Sequence, residues 1–164
     1  IVLTPLETED GTLVSSAIRD ISLRKKAEEK FRGLLESAPD GIVIVDANGR
    51  VLAAEPNRMR ALQDPTAHAE MQAIRAACRV LDQERLIDCD LWVTLEPCPM
   101  CAAAISFARI RRLYFAASDP KGGGVENGPR IFNQATCHHA PEVYGGMAAS
   151  EAAALLSAFF AARR

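Results

Sequence analysis

No apolar run in this chain approaches the roughly 18 residues needed to cross a bilayer. No signal peptide is visible either, so neither a membrane nor secretion is expected. An excess of positive charge is also missing. The 164 residues carry a formal net charge of −2, which gives no overall field to draw in nucleic acid or an acidic membrane surface. Local basic patches remain, at Arg163-Arg164 and around Arg109, Arg111 and Arg112. A disulfide framework is absent too. The five cysteines (Cys78, Cys89, Cys98, Cys101, Cys137) are odd in number and lack framework spacing, which points to a reducing cytoplasm and thiols kept for packing or metal. No internal repeat is present. Ile1 stands where an initiator methionine is usual, as expected of a fragment or a processed chain.

What is there is close to the average of soluble proteins, with 49% apolar and 24% charged residues. The length suits one globular domain with a sizeable core and an appended helix. Residues 1–40 are polar and charged. Within "SLRKKAEEKFRGLLESA", Ala27, Phe31 and Leu34/Leu35 recur at helical spacing and predict a helix over about 22–37, stopped by Pro39. Residues 1–20 lack such a stripe and are expected to be loosely held.

The stretch "GIVIVDANGRVLAAE" holds two β-branched runs joined at Asn48-Gly49, a strong hairpin signal because both residues tolerate positive φ. Helix–strand alternation follows. "DPTAHAEMQAIRAACRVLD" places Met71, Ile74, Cys78 and Leu81 on one stripe, with Asp64 or Thr66 as the expected cap. "LWVTL" reads as a buried strand and "PMCAAAISFAR" as a helix with Pro99 in its first turn. "RLYFAAS" is a further strand. Alternation of this kind argues an α/β sandwich around one sheet. Residues 119–148 hold six of the ten glycines and read as loop, with a short strand at "EVY". "SEAAALLSAFFAARR" closes the chain as a helix with Ser150 as its cap.

The chemistry gathers at "EPCPMC", residues 96–101. A lone CxxC pair is ambiguous between a redox couple, half of a structural zinc site and part of a catalytic one. A structural tetrahedral site needs four protein ligands, usually from a second CxxC or an HxxxH. Neither occurs here, and His138-His139 are too close together to serve. A catalytic zinc needs three ligands and an open position. "HAE" (His68, Ala69, Glu70) offers the third ligand with an acid/base group beside it. Cys98 and Cys101 fall at the start of a predicted helix, where the dipole favours thiolates. Convergence of the two helix starts below one sheet would place His68, Cys98 and Cys101 around one ion, with Glu70 positioned to move a proton. A single helix-start histidine is most often a surface or capping residue. The combination H-x-E followed by P-C-x-x-C, however, is the recognised signature of zinc nucleobase deaminases.

At these residues the chain resembles a family. "NRMRALQDPTAHAEMQAIRAA" and "LWVTLEPCPMCAAAISFARIRRLYFAASDPKGG" resemble the bacterial tRNA-specific adenosine deaminases, within the cytidine-deaminase-like superfamily. The likeness runs over about residues 41–164. It implies a three-layer α/β/α sandwich with a mixed five-stranded sheet, a cytoplasmic homodimer, one Zn²⁺ per chain, and conversion of adenosine to inosine at the wobble position of a tRNA anticodon loop. It implies zinc on His68, Cys98 and Cys101, and Glu70 as proton shuttle. By the same resemblance Asn57 holds the base and Asp119 lies near the target ribose. An amide can pair with a purine edge and a carboxylate can accept from a 2′-OH; on their own both residues read as turn formers.

The departures lie at the N-terminus. "LLESAPDGIVIVDANGRV" replaces the family's usual opening helix and strand, and Asp40 stands where the family has an apolar residue. With "DGTLVSSAIRDISLRKKAEEKF" it resembles a PAS sensor segment, giving a 1–40 extension on a 41–164 deaminase domain, with the seam near Val45–Val51. About 50 residues are too few for a PAS domain with its own core. Two alternatives stand beside the RNA reading. One is a deaminase of free guanine or another small nucleobase; the other is a non-catalytic PAS-linked signalling fragment with structural zinc, for which Glu70 would be unnecessary. Cys78, Cys89, Cys137, His138 and His139 are assigned to packing or loop structure.

Overall fold

Residues 1–20 carry no helical stripe, but they do carry β-branched residues on both sides of an Asp-Gly dipeptide. In the computed structural model, which describes residues 2–8, 11–17, 41–147, 149–150, 152 and 154, β1 (Val2–Thr8) and β2 (Gly11–Ala17) form an antiparallel pair. Neither strand is among the sequence expectations. Asp10-Gly11 is a hairpin signal that a search for helical periodicity passes over. The helix expected over 22–37 lies outside the described residues.

The Asn48-Gly49 turn behaves as its sequence predicts. β3 (Gly41–Val45) leads into it and β4 (Val51–Pro56) returns antiparallel, with Gly49 at φ 85°. The Asp46 carboxylate completes the turn by accepting from the N–H groups of Asn48 and Arg50, both at 2.9 Å.

Three further strands extend the sheet, β5 (Asp90–Leu95), β6 (Arg112–Ala117) and β7 (Glu142–Tyr144). Their order is β4-β3-β5-β6-β7; β3 is antiparallel to both neighbours, whereas β5–β6 and β6–β7 are parallel. The sheet is therefore mixed and five-stranded, in an α/β fold. Along β3, β5 and β6 successive residues enter two different cores. Ile42, Ile44, Leu91, Val93, Leu113 and Phe115 belong to one, and Val43, Val45, Trp92, Tyr114 and Ala116 to the other. β3 is thus apolar on both faces, which a continuous "IVIV" run permits and an alternating strand would not.

Helices between the strands are the single-turn α1 (Met59–Leu62), α2 (Ala69–Leu81) and α3 (Pro99–Phe107). The first core is filled by α2 and α3 through Ala69, Ala73, Ile74, Ala77, Ala102 and Ile105. Small side chains dominate this contact and let both helices lie close to the strands. The buried face of α2 is centred on Ala73 and Ala77, with Cys78 and Leu81 at its flank. Of the expected stripe, Ile74 is buried and Cys78 and Leu81 pack against the core, while Ala69, Ala73 and Ala77 widen the buried face. Met147 and Ala152 enter the second core, and residues 149, 150, 152 and 154 are helical. Ser150 is already helical and is not the cap of this segment. Among the described residues no helix is long and apolar enough to cross a membrane. The basic patch at Arg111-Arg112 is neutralised by pairing with Asp90 (2.9 Å) and Glu142 (3.0 Å).

β3 bridges β4 and β5, so its loss would open both cores. Burial of Ile42, Val43, Ile44 and Val45 at about 1.5–3 kcal/mol each gives about 6–12 kcal/mol, comparable to the whole stability of about 5–15 kcal/mol. Deletion of residues 1–45 is expected to abolish soluble folding. A stable, zinc-loaded product from that deletion would show that the core does not need this strand.

Candidate metal centre and its surroundings

Two helix starts carry the candidate ligands. His68 is the N-cap of α2 and Cys98 the N-cap of α3; both have extended backbone (φ −63°, ψ 153° and φ −67°, ψ 168°), and neither side chain makes a capping hydrogen bond. Pro99 at the first helical position holds φ near the helical value and starts α3 directly after the cysteine. Cys101 follows within the first turn and is fully buried. The expected caps Asp64 and Thr66 do different work. Asp64 Oδ1 accepts from the Thr66 N–H and hydroxyl, both at 2.7 Å, and the Ala67 N–H donates to the Asp64 carbonyl at 3.1 Å. They build the turn before α2, which leaves the N-cap position to His68.

His68 Nδ1 lies 3.7 Å from Cys98 Sγ and 3.5 Å from Cys101 Sγ. Zn–S bonds of about 2.3 Å and a Zn–N bond of about 2.05 Å at the tetrahedral angle require N···S edges of about 3.6 Å. All three ligand atoms lie within 4.8 Å of one another. The group therefore fits a tetrahedral zinc through three corners, and two thiolates with one imidazole are the donors such an ion takes.

The electrostatics suit a metal and a nearby base. The Cys101 thiol hydrogen-bonds Cys98 and, with the neighbouring backbone and His68, lowers the Cys98 thiol to about 5. The same contact, together with burial, pushes Cys101 upward. Metal binding by two cysteines takes them as thiolates and releases their protons. Glu70, in the first turn of α2, has its carboxyl raised chiefly by burial, against the lowering effects of its own backbone N–H and of His68. A desolvated carboxyl beside a metal site is suited to accept and release a proton.

Asn57 and Asp119 are turn formers. Asn57 is exposed, and its Oδ1 accepts from the Met59 N–H at 3.1 Å. The next residue is tied to the metal site, because the Arg58 N–H donates to the Ala67 carbonyl, immediately before His68, at 3.0 Å. Asp119 Oδ1 accepts from the N–H groups of Lys121 and Gly122, both at 3.0 Å. Its loop returns to the other side of the site, where the Gly124 N–H donates to the Pro97 carbonyl at 2.9 Å. Both segments are thus bonded to residues adjoining ligands.

The residue that sequence reasoning missed is Glu96. It is only 3% exposed, yet nothing in "LEPCPMC" marks it as more than a flanking acid. Burial would raise its carboxyl, but hydrogen bonds from Asn127, Asp119 and Glu126 outweigh that and hold it at about 2. A carboxyl lowered in this way contributes stability above its ordinary value of 4.5, and the contribution is lost as pH falls through about 2. The remaining cysteines and histidines have structural surroundings. Cys89 is buried in the core, and the Cys78 thiol donates to the Glu84 carbonyl at 3.8 Å. The Cys137 thiol donates to the His139 carbonyl at 3.1 Å, His139 Nε2 lies 2.7 Å from the Ile110 carbonyl, and the His138 ring faces Phe107.

Comparison with known proteins agrees with this geometry. Residues 19–117 match the family model of the cytidine and deoxycytidylate deaminase zinc-binding region. The chain is 59% identical to the tRNA-specific adenosine deaminase of Agrobacterium fabrum over 137 residues, 84% of this chain and 90% of that protein. A solved structure from a study of A-to-I editing by tRNA:A34 deaminases at the wobble position of transfer RNA is 58% identical. It superposes with a TM-score of 0.69, covering 80% of this chain and 96% of the other. Guanine deaminase from Nitrosomonas europaea superposes with a TM-score of 0.68 at 20% identity over 91% of this chain and 97% of that one; at that identity the likeness is one of fold. The family match begins at residue 19, within the segment expected to be a PAS-like extension, and these comparisons lend the PAS likeness no support.

Proposed function

Since the chain belongs to the cytidine and deoxycytidylate deaminase zinc-binding family, we propose that it hydrolyses adenosine to inosine in RNA, with the wobble position of a tRNA anticodon loop as target. The observation that carries this reading is a three-ligand His/Cys/Cys group with a desolvated carboxyl beside it. A zinc ion there supplies Lewis acidity that brings loss of a proton from water within reach near neutral pH. His68, Cys98 and Cys101 would hold the ion and leave one position for water. Glu70 takes a proton from the attacking water and returns it to the adenine ring. The water oxygen bonds to C6, its second proton passes to the amine, and the C6–N bond breaks to release ammonia.

The substrate is expected in a single-stranded loop, where the base is already unstacked and cheap to extrude. Asn57 has its Oδ1 engaged by the backbone, which directs its NH₂ to purine acceptors. Asp119 accepts from its own loop at Oδ1 and offers Oδ2 to a ribose 2′-OH. The enzyme acts as a cytoplasmic homodimer in this reading, with residues 41–164 as the deaminase domain and 1–40 as an extension. Membership of an enzyme family leaves the non-catalytic signalling alternative without support.

The substrate assignment is tested with matched RNA and DNA stem-loops. Asp119→Asn is expected to lower the RNA-over-DNA preference about five- to tenfold, the worth of one hydrogen bond of about 1 kcal/mol, with zinc content unchanged. An unchanged preference would remove Asp119 from ribose recognition.

A further inference from the structure

The carboxylate of Glu96 collects hydrogen bonds from both ends of one loop. Oε2 accepts from the entry, through the Asp119 N–H at 3.0 Å and the Ser118 hydroxyl at 3.3 Å. Oε1 accepts from the exit, through the N–H groups of Val125 (3.1 Å), Glu126 (2.8 Å) and Asn127 (2.9 Å). The Asn127 side-chain amide donates to Oε2 at 2.6 Å and to the Ser118 hydroxyl at 2.8 Å. Two oxygens offer about four lone-pair sites, so the donors saturate the group. Glu96 is also the second residue before Cys98.

We infer that Glu96 is a positioning residue, a clasp that closes the glycine-rich loop 118–127 against the Cys98 turn and so sets where Asp119 stands relative to that turn. The loop's part in substrate binding rests on the deaminase reading above; the clasp itself does not.

The glycines between the two ends explain why this loop, and not a longer-limbed one, fits the clasp. A Cβ on Gly123 would stand 2.5 Å from the Glu96 carboxylate and 2.6 Å from the Asp119 carbonyl oxygen. A Cβ on Gly124 would stand 2.6 Å from the Pro99 nitrogen and 2.9 Å from the Cys98 carbonyl carbon. The backbone therefore lies directly on the ligand-bearing turn, fixed by Gly124 N–H to Pro97 and by Gly123 N–H to the Asp119 carbonyl, both at 2.9 Å. A neutral side chain of the same shape cannot replace the carboxylate. Glutamine at 96 keeps one acceptor and turns a donor towards N–H groups that need acceptors, leaving buried donors unpaired.

The experiment uses the full zinc-loaded chain and its Glu96→Gln variant, read by site-resolved amide exchange and by steady-state kinetics on an RNA anticodon stem-loop. The clasp predicts exchange at Asp119, Val125, Glu126 and Asn127 accelerated at least about tenfold, while the amides of Leu113 and Phe115 keep their protection and zinc stays bound. KM for the stem-loop is expected to rise at least about tenfold, with kcat falling less than about threefold. Asn127→Ala, which removes one side-chain donor, should shift both readouts in the same direction by less, and it decides the matter if the glutamine variant does not fold. Unchanged protection at the four amides would overturn the clasp. Loosened amides with KM unchanged would overturn its positioning role. A parent enzyme that deaminates no RNA would sink the substrate reading, while the exchange result would still judge the clasp.

Discussion

Replacement of Glu70 by alanine is expected to lower turnover by 10²- to 10⁴-fold, the usual worth of a positioned proton-transfer group, or about 3–5 kcal/mol of barrier. Fold and zinc content should stay as they are. Glu70 sits in the first turn of α2, two residues after His68. Its carboxyl is raised by burial, which makes it a better base than an exposed glutamate and costs stability when it is charged. Glu70→Gln separates size from proton transfer, because the amide fills the same space and cannot take the proton. Both variants should therefore lose activity together. Undiminished ammonia release from either would take Glu70 out of the chemistry.

The second large effect concerns the ligands. Cys98→Ser with Cys101→Ser leaves His68 as the remaining member of the group, and one imidazole does not hold zinc against solvent. Zinc content should fall from about one per chain to background, and activity with it. Stability should fall too, since a metal that binds the folded chain at 1,000 times its Kd stabilises it by about 4 kcal/mol. For a domain of this size that is a drop of about 8–16 °C in Tm. Retention of full zinc by the double variant would mean the ion is held elsewhere.

Features written in contiguous residues could be read directly. The Asn48-Gly49 hairpin, the buried "LWVTL" strand and the proline-led helix of "PMCAAAISF" each follow from local pattern, and all three are present. The metal group was legible because donor types and their order are unusual, although His68 and Cys98 are 30 residues apart. Features set by tertiary fit were not. The α2 face was legible through Ile74, Cys78 and Leu81, but the alanines Ala69, Ala73 and Ala77 that widen it carry too little hydrophobic signal to stand out. The helix starts at His68, not Asp64, because Asp64 bonds its own turn. Glu96 was missed because its partners lie 22 to 31 residues away, in a stretch whose glycines signal only loop. A buried acid can be recognised from sequence only when its donors are local.

Under the proposed function, this metal centre acts on adenosine in an RNA loop. The most direct measurement incubates the purified zinc-loaded chain with an unmodified tRNA carrying adenosine at the wobble position and, separately, with free guanine, following ammonia release and the mass of the digested nucleosides. One inosine per tRNA is expected, at the wobble position, with equimolar ammonia, and little or no reaction with guanine. Rapid conversion of guanine to xanthine with the tRNA left intact would contradict it.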